Sequence, residues 1–243
     1  MAKWTREDMI VAYALYCITP MNKMTLKNKI IHQVAETFNH SVSSLIMCMK
    51  NFIALDPNSD KKGLSNFGKH HMKIFEEFRT DFGTLSSEAE KITGLALFDA
   101  DPINGASKLS ASTNKNQTNR ERHFFRASVL ATYDNRCCIS GLTEPALLVA
   151  SHIKPFTKCR DKSERTSPTN GLCLNVLYDR AFDQGLMTVT PDYKIHIASK
   201  SLLRDEFSNR WFYNLEGQTI NLPPRFLPDK KFLEYHNDTI YKR

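Results

Sequence analysis

The sequence predicts an α+β protein in which a helical N-terminal domain, residues 1–98, is followed by a linker, 99–119, and a C-terminal domain, 120–243, built on a strand-strand-helix unit. Three observations carry this. Apolar side chains recur at helical spacing through the first 52 residues. The stretch from Asp99 to Asn119 has almost no large apolar side chain and is rich in Ser, Asn, Thr and Lys, so it cannot bury enough surface to order itself. Beyond Arg136 the pattern changes to short apolar runs separated by turn residues.

Thr5 with Asp8 three residues on reads as a capping box, and Met9, Ile10, Tyr13, Tyr16 and Cys17 follow at helical spacing. A second helix starts near Thr25, carries Ile30, Ile31, Val34, Ala35 and Phe38, and ends at Asn39. The third is capped by Ser41, carries Val42, Leu45, Ile46, Met49 and Phe52, and stops before Pro57. The break at Asn39 and His40 suits a helix-turn-helix joint, with Ser43, Ser44, Met47, Lys50 and Asn51 outward; a plain helical bundle with a wet polar face fits the same residues. A fourth helix is expected over residues 69–82, burying Met72, Ile74, Phe75 and Phe78.

In the second part, residues 119–133 read as a helix that buries Phe124 or Phe125 with Val129 and Leu130, leaving Arg120, Arg122 and Arg126 on its other side. Cys137–Gly141 and Ala146–Ala150 are expected to be two short strands joined around Leu142 to Pro145. A polar, basic loop follows over 154–169, and then residues 172–183, helical at least towards their end. A hairpin turning at Pro191 and Asp192 and a closing helix over 231–241 complete the reading.

The formal charge of +7 favours an anionic partner, and its placement says more than its size. Residues 1–98 hold 12 basic and 10 acidic side chains against 21 and 16 in the remainder, and Lys108 to Arg165 alone holds 11 against 5. No apolar run approaches the roughly 18 residues of a membrane span, and no basic-then-apolar leader opens the chain, so a cytoplasmic protein without a membrane partner is expected. The six cysteines match neither a disulfide framework nor paired C-x-x-C knuckles and are expected to be reduced core residues.

One ordered set of polar residues stands out. His152 follows the second expected strand, Asn170 closes the basic loop, Asp179 lies nine positions on, and Asp183 falls one helical turn after it, so both carboxylates project from one face. A base, an orienting amide and carboxylates that can hold a cation are what phosphodiester hydrolysis requires.

Around these residues the sequence reads Ala150-Ser151-His152-Ile153-Lys154-Pro155, then Asn170-Gly171-Leu172-Cys173-Leu174, then Asp179-Arg180-Ala181-Phe182-Asp183-Gln184-Gly185-Leu186. This resembles the HNH endonuclease family with the ββα-metal fold, and within it the bacterial, restriction-endonuclease-like branch that reads S-H-I-x-P, N-G-L and D-x-A-F-D-x-G-L. The resemblance implies a metal-dependent endonuclease acting on double-stranded DNA, with His152 as general base and Asn170 as the catalytic-site residue that fixes loop and base geometry. It implies Asp179 as metal ligand in the place of the family's final His, and Asp183 as a further ligand. Carboxylate oxygens, with the Asn170 side-chain oxygen as a further candidate, favour one Mg2+ or Mn2+ per site. Two departures are plain: Ser151 stands where many members place an Asp ligand, and the absence of C-x-x-C pairs argues against structural zinc.

Phosphate contacts are expected from Arg122, Arg126, Lys154, Lys158 and Arg160, with Lys50 and Asn51 added by the third helix, and a second copy of the chain is kept open as a partner. A restriction or other defence enzyme is the leading reading. A nonspecific toxin-type nuclease, or a DNA-binding regulator with an inactive nuclease-like unit, are the alternatives.

Overall fold

The computed structural model describes residues 4–56, 68–98 and 117–242. The first helix, α1 (Arg6–Ile18), begins at the expected capping box: Thr5 Oγ1 accepts from the Asp8 amide at 3.2 Å and Asp8 Oδ2 accepts from the Thr5 amide at 2.8 Å. Every residue from Asp8 to Ile18 is buried. A helix apolar all round must be enclosed, and α1 is the central rod of a bundle. Around it lie α2 (Lys29–Thr37, capped by Asn28), α3 (Val42–Asn51, capped by Ser41), α4 (Lys69–Phe78) and α5 (Phe82–Thr93). The α2–α3 joint turns at Asn39 with φ of 54°.

The single helix expected over 69–82 divides in two and continues well beyond Phe82. Asp81 accepts from the Thr84 amide at 3.0 Å and its hydroxyl at 2.7 Å, which starts α5, and Gly94 at φ of 65° ends it. Most of the expected linker, residues 99–116, lies outside the described residues. Its last three residues open the helix α6 (Gln117–Thr132).

The strand-strand-helix unit is present with different strands. Cys137–Gly141 is a turn, closed by Cys137 N–H to Leu142 O at 2.8 Å and Gly141 N–H to Cys137 O at 2.9 Å. The hairpin is instead β1 (Leu148–His152) antiparallel to β2 (Gly171–Asn175), with His152 opposite Gly171 and Ser151 opposite Leu172. Residues 171–175 therefore pair as a strand, a state left open for the start of this segment, because a fully apolar run of this length carries no period that separates strand from helix. The helix α8 (Val176–Asp183) follows directly, capped by Asn175, whose Oδ1 accepts from the Tyr178 amide at 2.9 Å. The short helix α7 (Lys162–Thr166) lies in the loop between the strands. A second hairpin, β3 (Met187–Val189) with β4 (Ile195–Ile197), then α9 (Glu206–Trp211) and α10 (Lys230–Thr239), complete the C-terminal part.

Two apolar cores result, and α6 belongs to both. Its Phe124 and Ala127 enter the core of the N-terminal bundle, while Phe125, Val129 and Leu130 enter the core beneath the hairpin. The seam is also polar. Arg225, 1% exposed, reaches back to α1, donating to the carbonyl of Tyr16 and, at 2.8 Å, to that of Thr19. These carbonyls at the helix end have no intrahelical donor, so a guanidinium from far along the chain caps the C-terminus of α1. Nearby, Asp56 accepts from the Phe226 amide at 3.0 Å and Asp134 from the Met21 amide at 2.8 Å.

Gly171 shows how closely α6 lies on the hairpin. A Cβ there would sit 2.3 Å from Val129 Cγ2 and 3.0 Å from Phe125 Cζ, at an ordinary extended φ of −131°. Close approach, not a left-handed turn, requires the glycine. We expect Gly171→Ala to destabilise the fold by about 1–3 kcal/mol through overpacking, and Val129→Ala in the same chain to restore part of that loss. Thermal unfolding of the two single variants and the double variant measures this; additive losses would show that the methyl group meets no such obstacle.

Candidate active site

Asn170 is completely buried and every polar atom of its side chain is engaged. Its Oδ1 accepts from the Lys154 amide at 2.8 Å, and its Nδ2 donates to the carbonyls of Lys154 at 3.1 Å and Glu164 at 3.0 Å. The amide thus replaces a missing strand partner for Lys154 and ties the start of the 153–169 loop to α7. Oδ1, the atom considered as a further metal ligand, is turned into the loop and accepts from the Lys154 amide there.

His152 is the last residue of β1. Its ring stacks on Phe125, centroids 3.5 Å apart and planes 13° from parallel, and meets Phe156 edge-on at 5.8 Å. Nε2 lies 3.0 Å from the Arg165 carbonyl. A carbonyl can only accept, so Nε2 carries the hydrogen and Nδ1 keeps the lone pair. Burial lowers the imidazole pKa to about 4, against an upward pull from the Arg165 carbonyl and with a further downward push from the Arg122 charge. The ring is therefore neutral near neutral pH.

On α8, Asp179 and Asp183 lie one turn apart. Burial raises the carboxyl of Asp179, and Ser151 and Arg180 offset part of this. Asp183 is raised by lost hydration and then by the negative charge of Asp179. The Ser151 hydroxyl is buried and lies close enough to Asp179 to bear on its ionisation, so Asp179 is placed beside β1 one residue before His152. Two carboxylates that resist ionising together, next to a hydroxyl, are hard oxygen donors suited to a divalent cation that keeps most of its waters. Among the described residues no cluster of three or more His, Cys, Asp and Glu is placed to hold a metal, and all six cysteines are buried. Oxygen donors of this kind suit a hard divalent cation.

Residues 137–190, which span β1, the clamped loop, β2 and α8, match the HNH endonuclease family model. This segment of the chain is similar to HNH endonucleases. A domain of this family is a nuclease-type hydrolase unit, and the family acts on DNA and generally uses divalent metal ions. No curated protein matches the chain.

Basic residues around the HNH domain divide into two groups. Arg122 and Arg126 are exposed on α6 and line a cleft of about 220 Å³ with Phe125, Val149, Ala150, His152 and Phe156. Lys158 and Arg160 are exposed on the loop. Lys154 is not available as expected: it is 7% exposed, with Nζ 2.6 Å from Glu164 Oε2 and 5.3 Å from the Tyr235 ring centre. It braces the loop. In the N-terminal bundle Lys50 is exposed on α3, whereas Asn51 is half-buried with Nδ2 3.4 Å from His71 Nε2, so it faces α4 and not outward. No helix among the described residues is long and apolar enough to cross a membrane. Sequence reasoning missed Phe125 as the floor under His152, having left it level with Phe124, and missed the Arg165 carbonyl, for which a linear sequence carries no signal.

A second buried imidazole, His236, is also lowered to about 4 by burial, held between the Thr188 hydroxyl at 2.8 Å and the Phe182 carbonyl at 3.1 Å. Both histidines bind fewer protons in the folded state than in the unfolded state between pH 4 and 6.5. Stability they contribute is thus complete above the unfolded pKa of about 6.5 and is lost as pH falls towards 4, on the order of 3 kcal/mol per ring at the limit. The raised carboxyls of Asp179 and Asp183 act with the opposite sign. We expect the melting temperature to drop between pH 6.5 and 4.5 and the drop to be shallower in His236→Gln; parallel curves for the two proteins would remove His236 from this account.

Proposed function

We propose that the protein is a metal-dependent DNA endonuclease that cuts phosphodiester bonds by a one-metal HNH mechanism and serves as a restriction or other defence enzyme. The observation that carries the reading is the bond from His152 Nε2 to the Arg165 carbonyl within the HNH-matched segment, which leaves Nδ1 free to take a proton. In this reading Nδ1 removes a proton from the attacking water as its oxygen bonds to phosphorus and the bond to the leaving oxygen breaks. The resulting imidazolium is stabilised in place: its Nε2–H bond to the carbonyl becomes charge-assisted, and its face lies on the Phe125 ring. Asp179 and Asp183 would hold Mg2+ or Mn2+, which supplies charge stabilisation at the scissile phosphate and the leaving oxygen. Arg122, Arg126, Lys158 and Arg160 supply phosphate contacts, and the helical bundle adds DNA affinity through surfaces such as Lys50. A restriction role is supported by the resemblance to the restriction-endonuclease-like branch and by the docking of a separate helical bundle on the nuclease unit.

Incubating the purified protein with plasmid and Mg2+ tests this directly. Discrete cleavage by the wild type is expected, with loss of at least about 100-fold in rate for His152→Ala and nearly unchanged DNA affinity, since the base acts in the transition state. Smeared digestion would favour a nonspecific nuclease; binding without any cutting would leave a DNA-binding protein with an inactive unit.

A separate expectation concerns the cation. Asp179→Ala should raise the Mg2+ or Mn2+ concentration needed for half-maximal cutting or abolish cutting altogether. Full activity of the wild type in excess chelator would rule out these carboxylates as a metal site.

A further inference from the structure

Phe156 lines the cleft that Arg122 and His152 also line, and the guanidinium groups of Arg122 and Arg165 both lie near its ring. Arg122 Cζ, from α6, lies 4.9 Å from the ring centre, and Arg165 Cζ, from α7, lies 5.2 Å from it. The same ring meets the imidazole of His152 edge-on. Neither arginine has an ion pair among the described residues, although Glu164 is the immediate neighbour of Arg165 and is engaged instead by Lys154 and the Arg160 amide. The Nε of Arg165 is buried and has no hydrogen-bond partner.

Such an arrangement is unfavourable on its own. Two like charges held on one ring repel each other, and a buried guanidinium N–H without an acceptor forfeits its hydration. An anion with several acceptor oxygens held between the two guanidinium groups offsets their repulsion, and a phosphate offers the geometry that arginine forks match. We infer that Arg122 and Arg165 form a two-armed clamp for one backbone phosphate of the substrate, seated over Phe156 at the edge of the base. The clamp rests on the nuclease reading for the identity of its phosphate. Arg165 then acts twice. Its carbonyl fixes the tautomer of His152 while its guanidinium holds the substrate, so a single residue sets the distance between bound phosphate and base. Arg126 lines the same cleft but already donates to the Leu148 carbonyl at 3.0 Å, which makes it the lesser arm.

Arginine Nε–H resonances of the full chain, recorded by NMR in EDTA, test the clamp apart from cleavage. The probes are inorganic phosphate and a short mixed-sequence DNA duplex, and Arg165→Met, which keeps the stem over Phe156, assigns the signal. Both probes should shift the Arg165 Nε–H resonance, and Arg122→Ala should raise the phosphate concentration for half the shift by about tenfold, the size of one lost charge-assisted hydrogen bond. With Mg2+ and plasmid, Arg165→Met should lower kcat by roughly 100-fold or more, and Arg165→Lys should recover part of that. Unchanged thermal unfolding in Arg165→Lys separates this from a folding defect. If the duplex binds by anisotropy while the Arg165 signal stays still, the clamp is overturned and the nuclease reading survives. If phosphate moves the signal but the wild type neither binds nor cuts DNA, the clamp stands as an anion site and the nuclease reading fails. Should neither probe move it, the clamp is wrong.

Discussion

The side-chain amide of Asn170 is the constraint on which the rest of the site depends. It holds the backbone of Lys154, two residues after His152, and the carbonyl of Glu164, one residue before Arg165. The bond between the His152 ring and the Arg165 carbonyl therefore spans a distance that Asn170 sets from both ends. Left to itself, a loop of this length would sample many closures at similar free energy. A fully satisfied buried amide selects one, because any other closure strands a donor or acceptor in the interior. The Lys154–Glu164 pair adds a second tie across the same span.

The floor under His152 comes from elsewhere in the sequence. α6 places neighbouring side chains into two cores, and Phe125, one residue after a side chain in the bundle core, is the ring on which His152 stacks. That position holds only because Gly171 lets the helix approach β2. The N-terminal bundle accordingly does more than sit beside the HNH domain. By fixing the rotation of α6 it fixes the surface against which the imidazole lies, and burial on that surface is the principal reason the ring stays neutral.

Where local chemistry decides structure, the sequence was easy to interpret. The caps at Thr5 and Ser41 gave helix starts to the residue, the polar set at His152, Asn170, Asp179 and Asp183 lay in an order that chemistry makes sense of, and the HNH match falls on that segment. Tertiary context decided the rest. Leu172, Cys173 and Leu174 are apolar on both faces and pair as a strand because β1 offers an edge. Cys137–Gly141 has strand composition but turns back on itself. Lys154 reads as a surface cation in a basic loop, and only the fold brings Glu164 and Tyr235 to it. The same limit hid Arg165, whose role depends on which ring and which carbonyl lie across the loop.

The guanidinium of Arg225 at the end of α1 bears on how such a protein can be inherited. It is inserted from the C-terminal part into the N-terminal bundle, where it meets the carbonyls of Tyr16 and Thr19. Removing either side leaves a buried charge or bare carbonyls with nothing to replace water. Two halves joined this way are not interchangeable parts. A lineage that acquired a different N-terminal bundle by recombination would need, in the same event, carbonyls to receive Arg225 or a new residue at that position, so changes of partner should occur by gradual alteration of exposed surfaces and seldom by exchange of the whole bundle.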